Sequence, residues 1–142
     1  MPNRAVVFVS EASPYLSLGR LVELIADAER FNRQAGVTGV TLCDGARFLS
    51  YLEGPPDGLR VAYARASEVR SHLNFIELAR GRVSQRRLPR WPMRLFLAKE
   101  GQLQSIAMAD WASFSQRGDA DAMNSTAMDL LVRFAESRSR PN

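Results

Sequence analysis

One cysteine, Cys43, and one histidine, His72, are all that 142 residues supply of either type. An internal disulfide is excluded, and a zinc site made of Cys and His lacks ligands. The same scarcity removes the commonest nucleophile and base pairs, and no motif speaks for carboxylates or for serine with lysine instead. The chain is therefore expected not to be an enzyme, with no catalytic residues and no metal. Cys43 reads as a small strand hydrophobe and His72 as a solvated helix end. No apolar run approaches the roughly 20 residues that cross a bilayer, so no membrane contact is expected. The run Ala5 to Val9 is too short for a signal-peptide core and no cleavage site follows it, which points to a cytoplasmic protein.

Lysine is nearly absent too: of 19 basic residues only Lys99 is one, and the net charge is +4. Six arginines fall between Arg80 and Arg94. Such a cluster can face phosphates, but only Trp91 interleaves with it and no DNA-binding motif surrounds it. A solvated strand and loop is the favoured reading, with an RNA- or DNA-binding domain as an alternative. What remains is ordinary: 46% apolar and 24% charged residues, enough chain for one globular domain with its own core.

Ala5-Val6-Val7-Phe8-Val9 is apolar at every position, the pattern of a strand covered on both faces. Ser17 is placed to cap a helix whose apolar stripe is Leu21, Leu24, Ile25, Ala28 and Ala35, stopped by Gly36. Val37 to Cys43 and Arg47 to Glu53 are β-rich and flank Asp44-Gly45-Ala46, a hairpin signal. After Gly54-Pro55-Pro56-Asp57-Gly58, the stripe Leu59, Ala62, Tyr63, Ala66 and Val69 marks a second helix. Phe75 to Val83 and Trp91 to Ala98 follow as strands. The order predicts an α+β fold: a ferredoxin-like βαββαβ sandwich with a fifth strand and C-terminal helices.

Beyond Gly101, Leu103 to Phe114 has room for a short helix, Ser115 to Ala120 is a polar break, and Ala122 to Glu136 has helical spacing. Met128, Leu131, Val132 and Ala135 form a stripe that wants a partner, either the sheet's free face or another subunit. Residues 1–100 are expected to form the domain, with 101–142 a helical extension whose tail from Ser137 frays.

Asn32 is the most informative polar residue. At 100° per residue it falls beside Leu21, Ile25 and Ala28 on the buried stripe, where an unpaired amide costs about 1–3 kcal/mol. Either it caps the helix or bonds a strand backbone, or it bonds a ligand between helices and sheet; chemistry alone leaves both open.

Four separated blocks carry a family resemblance. They are Val7-Phe8-Val9-Ser10, Asn32 followed by Gly36-Val37-Thr38-Gly39, Phe48-Leu49-Ser50-Tyr51-Leu52-Glu53-Gly54, and Trp91-Pro92-Met93. In order and spacing the chain resembles the BLUF family of blue-light sensors using FAD. The resemblance implies that FAD lies with its isoalloxazine ring between the two helices, its polar edge bonded by Asn32. It implies that Phe31, Phe8 and Ser50 line the ring, and that Trp91 and Met93 belong to the signal-output strand. Two positions depart from the family's photochemical pair: its tyrosine is Phe8, which has no phenolic proton, and its glutamine is Ser50, whose hydroxyl lacks the amide's donor and acceptor. A third, often polar, is Phe31. The expectation is a flavin-binding sensory and regulatory domain acting through contacts with a protein partner, without the normal blue-light photocycle. The C-terminal helix resembles those of short stand-alone members, which implies a homo-oligomer. A flavin-free interaction module is the rival reading.

Overall fold

The computed structural model describes residues 3–68, 72–111 and 126–139. The elements in chain order are β1 (Asn3–Ala12), α1 (Leu18–Ala35), β2 (Thr38–Cys43), β3 (Arg47–Gly54), α2 (Pro56–Glu68), β4 (His72–Val83), β5 (Arg94–Leu97), α3 (Glu100–Ala107) and α4 (Thr126–Ser139). The five strands form one sheet in the order β4-β1-β3-β2-β5. β1 pairs antiparallel with β3 and β4, β2 antiparallel with β3, and β5 runs parallel to β2. This is the α+β, ferredoxin-like arrangement that the element order predicts.

Local chemistry accounts for the joints. The Ser17 hydroxyl accepts from the Arg20 amide, and Gly36, at φ 74°, ends α1 in the left-handed region that glycine enters without steric cost. In the hairpin, Asp44 Oδ1 accepts from the amides of Ala46 and Arg47 at 2.9 and 2.8 Å. Strand alternation then divides the apolar residues between two cores. Val6, Phe8 and Leu52 face α1 and α2, packing with Leu59, Ala62 and Ile25. Val7, Val40, Leu42, Leu49 and Tyr51 face the other way, toward Leu103 and Ile106 of α3 and Met128, Leu131 and Ala135 of α4.

The structure decides between some expectations and corrects others. The stripe on α4 is covered by the sheet, so it supplies no argument for an oligomer. The helix expected from Leu103 to Phe114 is Glu100–Ala107, led in by Lys99, whose amide donates to Gln102 Oε1; Phe114 lies outside the described residues. So do Val69, Ser115 to Ala120, the start of the helix expected at Ala122, and 140–142, whereas Ser137 to Ser139 are helical, not frayed. β5 begins at Arg94 rather than Trp91, because Pro92 has no amide proton to give a ladder. His72 opens β4 rather than ending a helix. Cys43 is a buried strand residue, and burial pushes its thiol up.

Candidate functional site

A cleft lies where α1 and α2 meet the sheet. Its floor is set by register: Phe8 on β1 stands directly opposite Ser50 on β3, which stands opposite Thr41 on β2. Asn32 of α1, Ala62 and Arg65 of α2, and Met93 also line it. Phe8 and Ser50 are each 2% exposed and Asn32 3%. The helices close tightly at one end, where a Cβ on Gly58 would sit 2.0 Å from the Ala35 carbonyl oxygen.

Three polar side chains of the cleft, Asn32, Thr41 and Ser50, each make a hydrogen bond. Asn32 Nδ2 donates to the Pro92 carbonyl at 2.8 Å. The Thr41 hydroxyl donates to Met93 Sδ at 3.3 Å, and it lies 2.9 Å from Ser50 Oγ. A threonine has one hydroxyl proton, so Ser50 is the donor in that second contact. The Gly39 amide adds a bond to the Trp91 carbonyl at 2.8 Å. The segment Trp91-Pro92-Met93 is thus suspended from α1 and β2 by three bonds, one per residue.

Of the six residues expected to line a flavin, four meet here: Phe8, Asn32, Ser50 and Met93. Phe31 does not. It sits half-buried in a groove outside the cleft, with the Arg65 guanidinium 5.3 Å from its ring centre. Trp91 is on the opposite face of the sheet, 5.7 Å from the Phe96 ring, which is in turn 6.2 Å from Phe134 of α4. Both residues precede β5 rather than lying on it, and the bend at Pro92 separates them. Thr41 and Arg65 were missed. Thr41 was within reach of the hairpin register; nothing in the sequence marks Arg65.

The arginine cluster is not merely solvated. Arg86 Nη2 donates to the Gly36 carbonyl at 2.7 Å, Arg87 Nη2 to Asp129 of α4 at 3.1 Å, and Arg94 lies 4.9 Å from both the Trp91 and Phe96 ring centres. The loop carrying them hangs on Glu53, which is fully buried. Its carboxylate accepts from the Arg87 and Leu88 amides at 2.9 and 2.8 Å and from the Tyr51 hydroxyl at 2.6 Å.

Phe8 also belongs to an aromatic cluster, stacked on Phe75 at 4.6 Å and tilted against Tyr63 at 5.4 Å. The Tyr63 phenol is pushed up to about 12, first by burial and then by the Glu77 carboxylate beside it. Glu77 itself is held below the usual carboxylate range, chiefly by its hydrogen bond from Arg80. For Tyr63 the folded value exceeds the unfolded value of about 10, so its contribution to stability is complete below pH ~10 and is lost as pH rises toward 12. Tyr63→Phe is expected to make the fall of melting temperature between pH 10 and 12 shallower. An identical fall in both proteins would contradict the assignment.

The chain thus presents a split-βαβ sheet with an asparagine-bearing cleft under its first two helices. Residues 4–94 match the family described as sensors of blue-light using FAD, and the chain belongs to this BLUF family. The blue light- and temperature-regulated antirepressor BluF of Escherichia coli K12 is 32% identical over 77 residues, 54% of this chain and 19% of that protein. The chain thus spans about a fifth of the length of that curated relative. Among solved structures, the dark state of the BLUF protein BlrB is similar with a TM-score of 0.74 at 18% identity, over 96% of this chain and 97% of the other. A bacterial light-regulated adenylyl cyclase gives 0.66 at 21%, over 96% and 35%. At these identities the likeness shows the fold.

The family's FAD can be tested against the cleft. Its ring system is flat and largely apolar, with a polar edge. The lining matches that chemistry, with Leu21, Ile25 and Leu52 as walls and the Asn32 amide for the edge. The free volume is about 60 Å³, well below the roughly 300 Å³ at the lower end of ligand pockets. A ring therefore enters only if α1 and α2 part or the side chains of Phe8 and Phe48 turn.

Proposed function

We propose that this chain is a BLUF-type regulatory domain that relays the state of its cleft to a protein partner without the family's reversible blue-light response. One observation carries the reading: the directly opposed pair at the cleft floor is Phe8 and Ser50, and among the cleft's lining residues Asn32 supplies the only amide side chain and none supplies a phenol. Proton-coupled electron transfer from tyrosine through glutamine has no donor and no relay here.

A route from the cleft toward α4 is nevertheless present. Asn32 is the residue whose amide would hold the flavin edge, and it already holds Pro92. Nδ2 has a second proton and Oδ1 remains as an acceptor, so a ligand edge and Pro92 share one side chain. A change at that edge moves the Trp91–Met93 segment, and the ring contacts Trp91–Phe96–Phe134 carry the movement across the sheet to α4. On this reading residues 1–100 are the sensing unit and 101–142 the output extension, in a cytoplasmic protein with no catalytic step of its own. The relative's name describes an antirepressor, and output by protein contact of that kind suits the arrangement.

The test is a fluorescence titration of the purified chain with FAD. Binding is expected, and Asn32→Ala should weaken it about tenfold or more while lowering stability by about 1–3 kcal/mol, since the Pro92 carbonyl loses its buried donor. Equal FAD affinity in both proteins would remove Asn32 from the site.

A further inference from the structure

Ser50, Thr41 and Met93 form a chain of three groups on the cleft lining, and all three are buried. Register places Thr41 directly opposite Ser50 across β2 and β3. Ser50 Oγ lies 2.9 Å from Thr41 Oγ1, which in turn donates to Met93 Sδ at 3.3 Å. Two hydroxyl protons serve this chain, and each turns freely about its own C–O bond. While Thr41 donates to the sulfur, Ser50 donates to Thr41 and offers the cleft only lone pairs.

The chain ends on its weakest acceptor, because a thioether sulfur accepts hydrogen bonds poorly. A ligand that presents an oxygen or ring-nitrogen acceptor to Ser50 gives its proton a better partner. Ser50 then donates to the ligand, the Thr41 proton turns back to Ser50 Oγ, and Met93 Sδ is released. No covalent bond forms or breaks and each proton stays on its own oxygen. The Ser50–Thr41 bond persists with its direction reversed. The Trp91–Met93 segment then keeps two of its three suspending bonds, those from Asn32 to Pro92 and from Gly39 to Trp91.

We propose that the Ser50–Thr41 hydroxyl pair is a two-position switch through which an occupied cleft lets go of Met93, with Thr41 as the positioning residue that holds the Ser50 proton in the empty state. The switch rests on the flavin-cleft reading above, since the edge of an isoalloxazine ring carries carbonyl oxygens and ring nitrogens that draw such a proton. Its input is chemical: occupancy of the cleft, without light, resets the segment.

Titration with FAD, followed by flavin fluorescence, and hydrogen exchange of residues 91–97 test this together. Thr41→Val keeps the shape of the side chain but leaves the Ser50 proton without its acceptor in the empty cleft, so FAD should bind about three- to tenfold more tightly than to wild type. A merely structural role for Thr41 predicts weaker binding. Thr41→Ser, which keeps the hydroxyl, should match wild type. Ser50→Ala should bind several-fold more weakly, and adding Thr41→Val to it should change nothing further. FAD should speed amide exchange in the segment in wild type and do so much less in Ser50→Ala, a comparison that keeps the test decisive should Thr41→Val fail to fold. Thr41→Val binding no more tightly than wild type, or equal exchange responses in wild type and Ser50→Ala, would overturn the switch; the cleft reading survives that result if Asn32→Ala still weakens binding. Absence of FAD binding by the wild-type chain would overturn both.

Discussion

Glu53→Ala is expected to cost about 3–5 kcal/mol of folding stability, a large part of the 5–15 kcal/mol that a domain of this kind possesses. The carboxylate is fully buried and serves three close donors: two loop amides and the Tyr51 hydroxyl. Removing it strands all three, at about 1–3 kcal/mol for each donor that water does not reach. Burial, the largest cause of the raised Tyr51 phenol, persists in the variant, so Tyr51 stays a protonated donor that has lost its Glu53 acceptor. Glu53→Gln keeps one acceptor oxygen but turns an amide NH2 toward a donor, so its cost should fall between wild type and alanine. Urea unfolding of the three proteins measures this. A loss below about 1 kcal/mol for the alanine variant would show that the Arg86–Leu88 loop is held by something other than Glu53.

The second large effect concerns light. Phe8→Tyr with Ser50→Gln restores a phenol and an amide at two positions that already face each other across β1 and β3. The double variant, loaded with FAD, is expected to show a small red shift of flavin absorption after blue light, which decays in the dark. Neither single variant should, since one lacks the relay and the other the donor. Glutamine in place of serine overfills a cleft of about 60 Å³, so without flavin the variant should be less stable by about 1–3 kcal/mol. FAD should recover part of that loss by binding the folded form. A loaded double variant that stays silent would mean that further lining groups, Arg65 or Thr41, set the geometry.

The order of elements and the fold class were readable because each signal is local. The Ser17 cap, the Gly36 stop, the Asp44-Gly45 turn and the continuous apolar run at Ala5–Val9 each depend on a few neighbouring residues, and together they leave one common topology. Asn32 was also readable, as a polar residue on an apolar helical stripe. Its partner was not, because the Pro92 carbonyl lies 60 residues away and belongs to the backbone. The role of Glu53 was hidden for the same reason: two of its partners are amides of a distant loop, which no side-chain pattern announces. Trp91 and Met93 were placed on one strand by resemblance, whereas both precede β5 and the bend at Pro92 puts them on opposite faces. Phe31 was placed by analogy with a position in the family; in α1 it packs against the edge of the core beneath the helices, with the Arg65 guanidinium over its ring, and does not line the cleft itself. The α4 stripe could be read as apolar, but the choice between the sheet's free face and another subunit could not be made, since the cover is assembled from residues of every strand.

The central claim is that the cleft retains Asn32 and lacks the family's photochemical pair at Phe8 and Ser50. It is tested most directly by a difference spectrum of the wild-type chain loaded with FAD, recorded after a blue flash and followed in the dark. No reversible red shift is expected, because Phe8 offers no proton and the Ser50 hydroxyl is committed to Thr41. Slow bleaching of the flavin by electrons from Trp91 or Trp111 is a different signal and does not decide the matter. A red shift that forms within the flash and decays back in darkness would contradict the account.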